Sequence, residues 1–177
     1  AEAVASTEGV ASVTPALLTL GFSEFHGTKE VIKLVGYDAA LGGGPWDLKA
    51  GREPATDDEV VLDRVLARRH DVELGDSIEV VGRPLTVVGL SNETASFSGS
   101  YVFARKTTVE ALVLAPGGAS ILLVTPAKGT TPTELVARLR VLPGTSVLLK
   151  REVMNNDTEV LAGIVDLALL AASAWAQ

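Results

Sequence analysis

Apolar and polar positions are patterned most tightly between Gly51 and Leu90. The acidic run Asp57-Asp58-Glu59 reads as a solvated loop entering the apolar strand Val60-Val61-Leu62. Asp63 stands at an N-cap position before Arg64–Arg69, where Val65, Leu66 and Arg69 recur at helical spacing. Leu74-Gly75-Asp76 is a turn signal. It opens the alternating strand Ser77–Val81, which Gly82-Arg83-Pro84 returns as Leu85–Leu90. Upstream, the helix-forming Ala1–Glu8 stops at Gly9. An extended run from Val10 to Phe25 then meets a polar turn, His26–Lys29, and a second strand, Glu30–Tyr37, carrying Val31, Ile32, Leu34 and Val35. These two strands read as a hairpin.

Past a polar loop at Ser91–Ser100, Tyr101–Ala104 resumes a strand. Lys106–Leu114 reads as a short helix begun by Thr107 or Thr108. Ser120–Thr125 is a buried strand. Thr131 and Glu134 have capping-box spacing at the head of a helix whose apolar face is Leu135, Val136, Leu139 and Leu142. Pro143-Gly144 stops it, and Ser146–Leu149 reads as a further strand, so the strand–helix–strand order predicts a parallel pair with a right-handed crossover. In the tail, Asp166 is the sole charge between Val160 and Ala176. Small residues at Ala162, Gly163, Ala168, Ala171, Ala172 and Ser173 suit close helix packing in lipid, and the run stops just short of the roughly 20 residues a membrane helix needs. A docking or dimerising helix is the other reading of the same pattern.

Composition narrows the chemistry. A net charge of −7 over 177 residues argues against a nucleic-acid surface, and the absence of cysteine removes disulfides, thiol nucleophiles and thiolate metal sites. Mean hydropathy is +0.31, high for a soluble chain, and the tail helps to explain it. Leu41-Gly42-Gly43-Gly44-Pro45-Trp46 is no phosphate loop: it has no Gly-Lys-Ser/Thr, and Pro45 removes an amide donor. Glu24 and His26 share a strand face but read as a solvated strand end, and no Gly-x-Ser-x-Gly elbow is present. The expectation is no catalytic, cofactor or metal residue. Trp46, Phe97 and Tyr101 are the candidate partner contacts, as aromatics in or beside polar loops.

The succession Gly51-Arg52-Glu53, Asp58-Glu59-Val60-Val61-Leu62, an Ala67-containing helix, Leu74-Gly75-Asp76 and Val87-Val88-Gly89-Leu90 resembles the extracytoplasmic domain of MacB/FtsX-like ABC transporter permeases. So does Val35-Gly36-Tyr37-Asp38. The resemblance implies an α+β fold: a membrane-proximal βαβ-containing lobe from residues 1–50 and 115–154, an inserted small, mostly β lobe at 51–114, and a stalk leading into a transmembrane helix at 155–177. It implies a domain on the extracytoplasmic side of a bacterial cell membrane that transmits ATP-driven motion to export or extract a substrate without conducting it through a channel. The implied partners are a cytoplasmic ABC ATPase subunit, a second permease copy and a membrane-fusion adaptor or secreted protein, with no nucleic acid and no cofactor. An FtsX-like module that recruits and activates a cell-wall hydrolase is the alternative, and a soluble lipid- or glycan-binding domain is a further one. If the tail is a membrane stalk, the full chain self-associates without detergent while a truncation after Met154 is a folded monomer, as size-exclusion chromatography would show. Loss of folding on truncation would instead make the tail part of the core.

Overall fold

The computed structural model describes residues 1–92, 94–96 and 99–149. The expected stalk at 155–177 and the candidate contact Phe97 lie outside the described residues. The fold is mixed α+β and dominated by sheet. Its elements in chain order are α1 (Glu2–Ala5), β1 (Val10–Phe25), β2 (Thr28–Tyr37), β3 (Leu48–Gly51), β4 (Glu59–Asp63), α2 (Arg64–Arg69), β5 (Ser77–Val80), β6 (Arg83–Ser91), β7 (Ala95–Ser96), β8 (Gly99–Arg105), α3 (Lys106–Leu112), β9 (Ile121–Pro126) and α4 (Pro132–Leu139). The chain divides into two compact units, residues 14–122 and residues 1–13 with 123 onward.

In the larger unit the strand pairings close on themselves. β1 runs antiparallel to β2, with Phe25 opposite Thr28 across the two-residue turn His26-Gly27. His26 and Gly27 both have positive φ, 48° and 83°, as such hairpin turns require. β2 then lies parallel to β8 from Ile32/Ser100 to Tyr37/Arg105. β8 is antiparallel to β4, β4 parallel to β6, β6 antiparallel to β5, and β5 returns to β1 at Ser23/Val80 and Glu24/Glu79. Residues 14–122 thus hold most of the first hairpin together with the 51–114 segment in one ring. Inward positions supply the core: Ile32 and Leu34, Val60 and Leu62, Ile78 and Val80, Leu85 and Val87, Val102 and Ala104. Each fully buried Val, Leu or Ile among them contributes about 1.5–3 kcal/mol. Leu66 and Ala67 of α2 and Val109 of α3 belong to the same cluster. Gly36 has no side chain for a packing reason: a Cβ there would stand 2.8 Å from that of Val109.

The Gly51–Leu90 pattern has a tertiary cause. A Cβ on Gly51, whose φ is +73°, would stand 2.2 Å from the Val88 carbonyl oxygen, and one on Gly89 would stand 2.4 Å from that of Arg52. Two backbones therefore cross where only glycine fits. Just beyond the crossing, Arg52 donates from Nη1 and Nη2 to the two oxygens of Glu59, at 2.7 and 2.6 Å. Glu59 also accepts from the amides of Ala55 and Thr56. The Arg52 hydrogen bonds hold the Glu59 carboxyl down to about 2 against the opposing effect of burial.

The acidic run is a partly exposed loop, as expected, and each member also has a partner within the fold. Asp58 pairs with Arg83 at 2.5 Å. Asp57 pairs with Arg105 at 3.2 Å and accepts from the Thr107 and Thr108 hydroxyls. The Thr107 hydrogen bond does most to keep the Asp57 carboxyl low, against burial and with help from Arg105. Thr107 and Thr108 consequently do not cap α3, which begins at Lys106 after Arg105. The β5–β6 turn is Val81-Gly82, one step earlier than Gly82-Arg83-Pro84, with Val80 opposite Arg83. Val81 takes φ +50°, unusual for a β-branched residue, and its amide donates to the Phe22 carbonyl at 2.9 Å. Gly75-Asp76 turns as expected: the Gly75 amide reaches the Val87 carbonyl, and the Val87 amide reaches that of Asp76.

Asp63 caps α2 through Oδ1, which accepts from the amides of Val65 and Leu66 at 2.8 and 3.2 Å. Its Oδ2 accepts from the Thr94 hydroxyl, and Thr94 shares a hydrogen bond with Ser91. All three side chains are buried, so part of the expected polar loop is anchored in the interior.

In the smaller unit Val4, Leu135 and Leu139 are buried. α4 carries the expected capping box between Thr131 and Glu134, with Pro132 in its first turn. Arg138 donates to the Glu8 carbonyl at 2.8 Å, over Gly9. No strand forms at Ser146–Leu149, so the expected parallel crossover is absent. β9 takes β1 as its partner instead, and the Thr145 hydroxyl ties the chain back to the carbonyls of Leu139 and Leu142.

Two outcomes follow from these contacts. Asp63→Ala removes a cap and takes from the buried Thr94 hydroxyl its carboxylate acceptor, so it should cost about 2–4 kcal/mol in denaturant unfolding; a loss below about 1 kcal/mol would show that the cap and the loop are not coupled through Asp63. Glu59→Gln should lower the thermal midpoint at pH 7. The folded Glu59 carboxyl lies below its ordinary value of 4.5, so its contribution is complete above that pH and fades as pH falls toward 2. The gap between parent and variant should narrow over this window, and a gap independent of pH would contradict the clasp.

Candidate functional site

The outer face of the β2–β8 seam is where the aromatic residues gather. Cross-strand neighbours share a face, and β2/β8 register sets Lys33 beside Tyr101 and Val35 beside Phe103. Trp46, arriving on the loop between β2 and β3, packs edge-on against Tyr101 and Phe103 with centroids 5.6 and 6.0 Å away. Tyr37 meets Phe103 at 6.4 Å, and Tyr101 stacks on Phe103 at 5.9 Å. Lys33, 1% exposed, holds its ammonium 4.7 Å from the Tyr101 ring centroid, a geometry that contributes ~2 kcal/mol when desolvated. Two of the candidate contacts, Trp46 and Tyr101, are therefore brought together. Tyr101 is buried and Trp46 half-buried, both as members of this cluster.

The same face continues along the hairpin as a bare apolar strip. Leu20 lies across from Lys33, and Phe22 across from Val31. These three apolar residues are 44%, 39% and 66% exposed, respectively for Leu20, Phe22 and Val31. Lys29 reaches over the Phe22 ring at 5.2 Å and pairs with Glu24 at 3.7 Å. The strip was not singled out from sequence, although a signal exists. Val31-Ile32 and Leu34-Val35 place apolar residues at both parities of one strand, so both faces of β2 are apolar, and only the inner one is needed for the ring.

A loop straps part of this face. Within it the Leu41 amide donates to the Asp38 carbonyl, and Asp38 and Gly42 form a bridge. The Thr14 hydroxyl donates to the Leu41 carbonyl at 3.2 Å. At the exit, Asn92 donates its side-chain and backbone N–H groups to Asp47 at 2.9 and 2.8 Å. Beneath, the Tyr37 hydroxyl is buried without a hydrogen-bond partner among the described residues. Burial, with the nearby Glu53 carboxylate adding to it, pushes its pKa well above the ordinary phenol value.

His26 and His70 serve different places. His70 ends α2, stacks on Phe25 with centroids 4.3 Å apart, and meets Glu30 through Nε2 at 2.8 Å. Arg69 also reaches Glu30. Burial raises the Glu30 carboxyl, but His70 and then Arg69 outweigh it and the net shift is downward. Glu24, His26 and Asp76 line a shallow depression of about 250 Å³ with Phe25, Val72, Ser77 and Ile78. Among the described residues no group of three or more His, Cys, Asp or Glu side chains is placed to hold a metal ion, and no helix is long and apolar enough to cross a membrane.

The MacB-like periplasmic core domain profile matches residues 1–142. Three solved structures share the fold. The extracellular domain of the noncanonic ABC-type transporter YknZ from Gram-positive bacteria aligns with a TM-score of 0.55 at 15% identity, covering 72% of this chain and 71% of that one. The periplasmic region of MacB from Actinobacillus actinomycetemcomitans gives 0.53 at 20% identity, with 79% and 71% covered. A domain of a putative permease protein from Porphyromonas gingivalis gives 0.52 at 19% identity, with 79% and 66% covered. No curated protein matches the sequence. A profile match over most of the chain, on a fold whose glycine crossing and Gly-Asp turn occupy the positions that carried the resemblance, leads to one conclusion: the chain belongs to the MacB-like periplasmic core domains, the extracytoplasmic domains of MacB-like ABC transporter permeases, which work with a cytoplasmic ATPase.

Proposed function

We propose that this domain is a mechanical transmitter on the extracytoplasmic side of a bacterial cell membrane. It moves as a body when a separate cytoplasmic subunit hydrolyses ATP, and so exports or extracts a substrate without conducting it through a channel. The observation that carries this reading is the closed strand ring of residues 14–122, sealed by the β2–β8 pairing. A close-packed core resists shear, so force applied at one strand reaches the others with little internal deformation. In this reading the domain performs no chemistry of its own and is paired in the membrane with a second permease copy, with residues 155–177 as the stalk to the membrane. A membrane-fusion adaptor or a secreted protein is the outer partner.

A second reading, recruitment and activation of a cell-wall hydrolase in the FtsX manner, draws support from the exposed strip of Leu20, Phe22 and Val31. It predicts that serine at these positions abolishes hydrolase recruitment while ATP turnover continues.

The transmitter reading is tested by spin labels. This chain has no cysteine, so Lys49→Cys on β3 and Arg68→Cys on α2 give labels at exposed positions of the larger unit. In the complete transporter, ATP should change the distance between the two copies' labels while the Lys49–Arg68 distance within one copy stays fixed. A change within the copy, or transport with no change between copies, would sink the idea.

A further inference from the structure

We propose that Gly43–Trp46 is a releasable strap, clasped over the aromatic face by Trp46 and loosened by the buried hydroxyl of Tyr37. The segment lies between two fixed points. On one side Leu41 and Gly42 are held by Thr14 and Asp38; on the other, Asp47 is held by Asn92. Gly42 and Gly43 have φ of +88° and +93°, and a Cβ on Gly42 would meet nothing within 4 Å. Gly43, the first residue past the Gly42 anchor, is therefore the strap's glycine hinge.

Two opposed contributions enter the balance. The edge-on contacts of Trp46 with Tyr101 and Phe103 favour the clasped state. Against them, the clasped state keeps the Tyr37 hydroxyl from water and offers it no partner among the described residues. Tyr37 as a whole is 2% exposed. Release lets water reach that oxygen, so part of what is lost in ring contacts is recovered in hydration. Gly44 transmits the closure: a Cβ there would stand 2.4 Å from Tyr37 Cε2 and 3.0 Å from Glu53 Oε1. The strap thus seats directly on the tyrosine whose hydroxyl opposes it. Lifting it uncovers the rings of Tyr101 and Phe103 on the face that continues into Leu20, Phe22 and Val31.

The test uses 19F NMR of the full chain carrying 5-fluorotryptophan. It has two tryptophans, and Trp175→Phe assigns the Trp46 resonance. Relaxation dispersion should show Trp46 exchanging on the microsecond-to-millisecond scale with a minor released state. Tyr37→Phe removes the orphaned hydroxyl and should shrink the released population about tenfold. Gly44→Ala should enlarge it while the thermal midpoint of the ring is retained. A released population unchanged or raised by Tyr37→Phe overturns the proposal, since the hydroxyl then finds its partner in the clasped state. So does a Trp46 resonance free of exchange in Gly44→Ala, or a Gly44→Ala variant that unfolds as a whole.

Discussion

The parallel seam between β2 and β8 is the pairing on which the rest of the larger unit depends. Without it β2 would be an edge strand with apolar side chains on both faces, and the row from β2 to β8 would be an open sheet. With it, Ile32 and Leu34 face the core beside Val102, while Lys33, Val35 and Tyr37 face outward beside Tyr101 and Phe103. One ladder therefore organises two environments: the aliphatic interior and the aromatic outer face with its partly exposed continuation. Gly36 lets α3 settle on the end of this seam.

Charged groups hold the frame at places where the hydrophobic effect has little direction to give. Arg52 and Glu59 fasten the chain beside the Gly51/Gly89 crossing, and Arg83 and Arg105 each take one of the neighbouring aspartates. Exposed pairs of this kind contribute little individually. Their effect lies in the hydrogen bonds shared with backbone amides and threonines, which fix the loop before β4 to α3 and to β6. The 38–47 loop is built differently, with glycines, a few anchors at its ends and an unsatisfied hydroxyl beneath it. Among the described residues the frame is thus closely paired, while this loop is held mainly at its ends.

Identity to the three solved structures is between 15% and 20%, yet the fold is shared. The geometry offers a reason. Few positions in this chain demand one particular residue: the glycines at the crossing, the Gly-Asp turn and the cap at Asp63 do so for steric or hydrogen-bonding reasons, while the ring interior demands only apolar volume.

Local features were legible in the sequence because their determinants lie within a few residues of each other. Asp63 reaches amides two and three residues on, Thr131 and Glu134 close their box within one turn, and His26-Gly27 supplies its own positive φ. The strand period likewise marked the apolar faces. What period cannot supply is the identity of the partner edge. The sequence alone did not say that β2 would find β8, that β9 would take β1 and leave Ser146–Leu149 without a strand, or that Asp57 would meet Thr108, 51 residues away. Those outcomes belong to the tertiary structure: a side chain's pattern tells which face avoids water, but only ring closure brings distant chain segments close enough to decide what covers it.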